Sequence, residues 1–244
     1  MNRFLVLLVL FIIAPFFSSH VFLQKGSTEE GGLEIYPESL EGKSSFLTSR
    51  IWDKLDKSNS IPKKEALEKA ILGYLKVLDT HEIDKDKPLT LIDFSLPSTQ
   101  ERLWIFDINK TELLYQTYVS HGKNSGNRWA RQFSNTHSSY MSSLGFYITA
   151  ETYEGKHGYS LKLDGIEPGF NDQARPRAIV IHGAEYVEES FIQTYGRLGR
   201  SLGCPALPPD LTQPIIDLIK DKSCLFIYAE DQEYLSNSPI LSQS

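Results

Sequence analysis

Cys204 and His182 are the two side chains in this chain best suited to do chemistry together. An imidazole can take the proton of a thiol, and the sulfur that results attacks a carbonyl carbon. His182 closes the apolar run Ala178-Ile179-Val180-Ile181, whose β-branched composition predicts a buried strand, and Gly183 follows it. Cys204 stands in a turn setting, with Gly199 and Gly203 before it and Pro205 after it. Glycines around a loop thiol let a substrate backbone come close. The competing reading is a core histidine satisfied by backbone and a small buried thiol. Ser201 is a third polar group that could bond the site or the substrate, or be a plain loop hydroxyl. An oxyanion needs N–H donors aimed at the developing charge, and the amides of Gly203 and Cys204 are the natural candidates. Arg200 could hold a substrate carboxylate in a bidentate contact, or be a solvated loop residue.

Cys204 lies 22 positions after His182, and the stretch Gly199-Arg200-Ser201-Leu202-Gly203-Cys204-Pro205-Ala206 precedes and contains it. This H-G … S-x-G-C pattern resembles the signature of the L,D-transpeptidase catalytic domain (the YkuD-like fold), in its murein branch with G-R-S-x-G-C-P-A. Ser143-Leu144-Gly145-Phe146-Tyr147 and Lys156-His157-Gly158 extend the resemblance, which covers roughly residues 90 to 230. It implies a mostly β fold with flanking helices, a β-sandwich or barrel carrying the catalytic site, preceded by an N-terminal helical pair. It also implies a peptidoglycan L,D-transpeptidase. Cys204 would form a thioester with a tetrapeptide stem, release D-alanine, and pass the acyl group to an amine in a 3→3 cross-link. Gly183 would orient His182 through its backbone carbonyl. Gly145 and Tyr147 would belong to the substrate groove, and Lys156 and His157 would line the cleft, with a charged hairpin tip as the equal alternative. The chain departs from the wider family at Leu202, where many members carry a second histidine, and at Pro205-Ala206. Histidine precedes cysteine here, the reverse of the papain-like order. The alternatives are an L,D-carboxypeptidase with water as acceptor and a non-catalytic cell-wall-binding module. Neither a cofactor nor a metal is called for. His121, His137, His157 and His182 fit no zinc-ligand spacing.

The elements that must position these groups fit one domain of ordinary size with a small appendage. Lys and Arg total 25 against 31 acids, and this acidic balance speaks against a nucleic-acid partner. A local exception runs from Gly122 to Arg131, with Lys123, Arg128 and Arg131 and no acid; it would suit carboxylate-bearing peptides or be a solvated face. Two cysteines exclude a disulfide-stapled mini-fold, but a Cys204–Cys224 bridge would be fatal to the mechanism.

Residues 1–19 read as an export signal, with Arg3 ahead of an uncharged apolar run; left uncleaved, they would tether the chain to a membrane. The chain is therefore expected in the periplasm or cell envelope. Residues 20–44 read as a flexible leader and 45–79 as a helical pair, with Ser60 as N-cap and Pro62 as a start residue of the second helix. The resemblance implies a catalytic domain over residues 80–235, with 236–244 expected as a tail. Strands are predicted at 89–94, 102–107, 113–119, 146–150, 159–163, 178–181 and 225–228, and a late helix over 209–220. Their spacing implies a largely antiparallel sheet.

Overall fold

The computed structural model describes residues 37–242; the export signal expected at residues 1–19 lies outside the described residues. Helices α1 (Leu40–Lys54) and α2 (Lys64–Thr80) come first. Strands β1 (Leu89–Asp93), β2 (Leu103–Asp107), β3 (Glu112–Thr117), β4 (Gly145–Gly155), β5 (Gly158–Gly165) and β6 (Val180–Gly183) follow. After them come α3 (Glu189–Tyr195), β7 (Ala206–Leu207), α4 (Pro209–Ile219), β8 (Cys224–Tyr228) and α5 (Gln232–Asn237).

The mostly β body with flanking helices is what the strand pattern implied. Among the described residues eight strands join one sheet, in the order β3-β2-β1-β8-β4-β5-β6-β7. Most pairs are antiparallel; β1 with β8 and β6 with β7 run parallel. The chain leaving β3 turns back to the opposite edge. Ser120 N–H donates to Ala206 O at 2.9 Å, and a bridge joins Gly122 to Ser201. The sheet is thereby drawn nearly closed, and the seam runs beside Cys204.

The core lies against the middle of the sheet. Burial is complete or nearly so along β1 and β8, whose near-continuous apolar runs suit strands covered on both faces. Phe146 and Phe226 stack there with ring centroids 4.1 Å apart. The apolar stripe of α2, Ala66, Leu67, Ala70, Ile71, Tyr74 and Val77, covers one side of these strands. Gly73 makes that approach feasible, because a Cβ there would sit 1.9 Å from Cζ of Phe146.

Two helix starts differ from expectation. α1 begins at Leu40, inside the segment read as leader, because Ser39 caps it by accepting from Gly42 N–H at 3.1 Å. α2 begins after Lys63, and Ser60 caps nothing: its hydroxyl donates to Glu101 O. Asp93 of β1 instead accepts the Lys63 N–H at 3.1 Å, a cap supplied by tertiary structure. Cys204 and Cys224 are both free thiols, so the bridge between them is not made.

Candidate active site

The register of β6 and β7 builds the site. His182 pairs with Ala206 and Gly183 with Leu207, in parallel. Cys204, two residues before Ala206, lies against Val180, two residues before His182. Val180 N–H donates to Sγ at 3.5 Å, and the thiol donates to Ala178 O at 3.6 Å. Two residues of strand, roughly 7 Å, separate the two positions along the edge.

His182 is buried, and its Nδ1 lies 2.9 Å from Gly183 O. A carbonyl only accepts, so Nδ1 carries the proton and Nε2 is left as the basic nitrogen. Gly183 thus contributes a carbonyl. Burial pulls the imidazole below its ordinary value, and the nearby His157 and Lys156 push the same way against the Gly183 bond. Burial also raises the Cys204 thiol, opposed by the Val180 N–H and by the charges of Arg177 and Lys156. Both shifts run toward the neutral forms, the imidazole for His182 and the thiol for Cys204.

Ser201 is buried, and its hydroxyl closes the turn that carries the thiol. It donates to Cys204 O at 2.6 Å and accepts from Gly203 N–H at 3.0 Å. The Gly203 amide, one of the two expected oxyanion donors, is thus engaged by the Ser201 hydroxyl in this arrangement. The Cys204 amide is left from the expected pair. Gly203 has φ +128°, and a Cβ there would lie 2.9 Å from Met141 O, so the turn requires glycine.

The other expected contacts fall in different places. Lys156 and His157 form the exposed tip between β4 and β5, and His157 stacks on His182 with centroids 4.4 Å apart. Arg200 donates from Nη1 to Gly126 O at 2.9 Å and Lys123 O at 3.2 Å, bracing the neighbouring loop. Gly145 and Tyr147 are the residues expected in the substrate groove. Both are buried, and the Tyr147 hydroxyl donates to Ser143 O at 3.0 Å, so neither presents a surface to a substrate. This part of β4 is covered on both faces, with Phe146 and Tyr147 each fully buried.

Three residues not expected at this site from the sequence support it. Arg177 donates to Ser134 O, Ser143 Oγ, Ser139 Oγ and Met141 O, stitching the 134–143 loop beside the thiol. Arg102 and His121 are wholly buried and bonded to each other at 2.8 Å. The signal for His121 was present: His121-Gly122 repeats the dipeptide of His182-Gly183. Two pockets flank the pair. One, about 290 Å³, is lined by Ala178, Ile179 and Val180 with Tyr153, Lys162 and Arg175. The other, about 320 Å³, is lined by His157, Tyr159, Gly183, Glu185 and Thr212 among others. Among the described residues, no group of three or more His, Cys, Asp or Glu could hold a metal ion.

Residues 58–228 match the profile of the L,D-transpeptidase catalytic domain, and the chain belongs to that family. No curated protein aligns with it significantly. Solved structures similar to it include an L,D-transpeptidase from Mycobacterium smegmatis, 14% identical, with 59% of each chain covered and a TM-score of 0.35. Another is the L,D-transpeptidase of Xylanimonas cellulosilytica, 14% identical over 79% of this chain and 93% of that one, TM-score 0.36. A third, the Ldtfm–avibactam carbamoyl enzyme, is 12% identical over 84% and 85%, TM-score 0.39. The chain spans 59% of the length of the mycobacterial structure.

Proposed function

We propose that the chain is a peptidoglycan L,D-transpeptidase working through a Cys204 thioester, outside the cytoplasm. The observation that carries this reading is the β6–β7 register, which brings a free thiol to the strand that bears His182. Nε2 of His182 takes the thiol proton as Sγ attacks the carbonyl of the third residue of a tetrapeptide stem. The Cys204 amide faces the oxygen as charge develops on it. The imidazolium then protonates the amine of the terminal D-alanine, which leaves. The amine of a second stem attacks the thioester and gives its surplus proton back through His182, and the thiolate departs and is reprotonated. In this reading proton transfer to His182 accompanies attack.

The surface beside the turn suits an anionic wall fragment. From Leu113 to Ala150 the sequence has no Asp or Glu. Among the described residues, Lys123, Arg128 and Arg131 have no carboxylate within ion-pair distance. Instead Lys123 lies over Tyr140, and Arg128 and Arg131 over the exposed Trp129.

Purified disaccharide tetrapeptides incubated with the wild type should yield a 3→3 cross-linked dimer and free D-alanine. Cys204→Ala should yield neither, and His182→Ala should slow both by about 10²–10⁴-fold. Free D-alanine without dimer would mean a carboxypeptidase. Binding to sacculi without any product, unaltered in Cys204→Ala, would mean a wall-binding module.

A further inference from the structure

Arg102 is a fully buried cation without a carboxylate in ion-pair contact among the described residues. A guanidinium held this way must use its N–H groups on neutral acceptors, and it does. Nε and Nη2 both donate to Val119 O, at 3.1 and 2.9 Å, and Nη1 donates to Leu96 O at 2.9 Å. Nη2 also donates to Nδ1 of His121 at 2.8 Å, and Phe94 covers the guanidinium at 4.8 Å. Because arginine only donates, His121 Nδ1 accepts, and the ring proton sits on Nε2, which faces Gly126 O at 3.4 Å. Burial and the adjacent guanidinium hold His121 down to about 3, so this tautomer persists through the working range.

The segment these two residues fix is the one from which the Cys204 turn hangs. On one side of the thiol, Ser201 N–H donates to His121 O at 3.0 Å, and Lys123 N–H donates to Ser201 O at 2.8 Å. On the other side, Ser120 N–H donates to Ala206 O at 2.9 Å. Gly122 N–H reaches Ser142 Oγ at 3.0 Å, and that hydroxyl donates to Gly203 O at 3.2 Å. Residues 120–123 thus grip the turn at 201, 203 and 206.

We propose that His121 and Arg102 are positioning residues of this active site: the buried pair locks residues 119–126, and through them sets where the Cys204 sulfur stands relative to His182. The proposal rests on Cys204 being the nucleophile. It divides the two histidines by duty, His182 moving protons and His121 never doing so. A sulfur displaced by about 1 Å would cost about 10²-fold in rate.

The test uses the full chain. His121→Phe keeps an aromatic ring but offers Arg102 no acceptor and Gly126 no donor; His121→Gln keeps one of each. The rate of Cys204 alkylation by iodoacetamide should depart from wild type by about tenfold or more in the Phe variant, with its pH profile displaced, as the surroundings of the sulfur change. The Gln variant should stay within about threefold of wild type. In turnover, the Phe variant should lose kcat with KM little altered. A folded Phe variant alkylated at the wild-type rate, or equal losses in both variants, overturns the proposal. Nitrogen-15 spectra of the wild type, which need no variant to fold, should show His121 as the Nε2–H tautomer without titration between about pH 4 and 9. A titrating His121 also overturns it. Alkylation and tautomer need no wall substrate, so absence of cross-linking in the wild type would defeat the proposed function and leave this test standing.

Discussion

The imidazole of His157, at the tip of the β4–β5 hairpin, lies flat over that of His182, with centroids 4.4 Å apart and planes 22° from parallel. The hairpin tip therefore roofs the proposed base, helping to keep water from its face and placing a second titratable ring against it. His157→Ala should remove both influences. The His182 imidazole should rise toward its ordinary value, and the acid limb of the turnover profile should move to higher pH. Proton NMR titration of the His182 ring in the two proteins checks this. An unmoved titration would mean the stack has no bearing on the base.

Thiol reactivity has a sign of its own. Burial raises the Cys204 thiol, so the resting protein should be alkylated slowly at neutral pH, with the rate climbing past the usual cysteine value of about 8.5. A preformed thiolate–imidazolium pair would instead give a plateau reaching down toward pH 6. Rates with iodoacetamide across that range, read by intact mass, separate the two.

Glu167 ties the C-terminal helix to the sheet. Its carboxylate accepts from Phe146 N–H at 2.6 Å, from the Tyr234 hydroxyl at 2.9 Å and from Ser238, all buried. Glu167→Ala should cost about 3 kcal/mol, because buried donors lose their acceptor. Burial raises Glu167 above its ordinary value against these hydrogen bonds. A carboxyl raised on folding favours the protonated form. Its contribution is complete below the unfolded value, about 4.3, and is lost as pH rises through the folded one. Thermal melts of wild type and Glu167→Gln from about pH 4 to 7 should show the wild type losing ground to the variant as pH rises.

The cationic loop should be read by salt and by KM. Arg128→Ala with Arg131→Ala should raise KM for stem substrates several-fold, leave kcat near the wild-type value, and weaken the salt dependence of wild-type turnover. Equal loss of kcat would mean the loop serves the chemistry rather than capture.

Much of the fold was legible because its strands carry their own signal. The apolar runs at Leu89–Asp93 and Cys224–Tyr228 are buried on both faces and could hardly be read otherwise. The thiol and its histidine stood out by type and by the glycines around them. What escaped was decided by distant partners. β7 is two residues long and exists through its pairing with β6, so no local period announces it. The start of α2 answers to Asp93, thirty positions away. Gly203 has the right composition for an oxyanion donor, but its amide is taken by a hydroxyl two residues back. Tyr147 is expected in the groove only because Ser143–Tyr147 resembles a family segment. Both faces of β4 are covered there, which a five-residue motif does not announce, so Phe146 and Tyr147 are both enclosed. Arg102 looked like the first residue of a strand, and only the folded chain shows it enclosed beside His121.

Cys224 is sealed inside β8, and its thiol is pushed far up by that enclosure. With two sulfhydryls in the whole sequence, an electrophile added to the native protein has a single address. Intact-mass measurement would then count occupied sites directly, one adduct per chain, and a candidate inhibitor could be ranked by how fast that one mass increment appears.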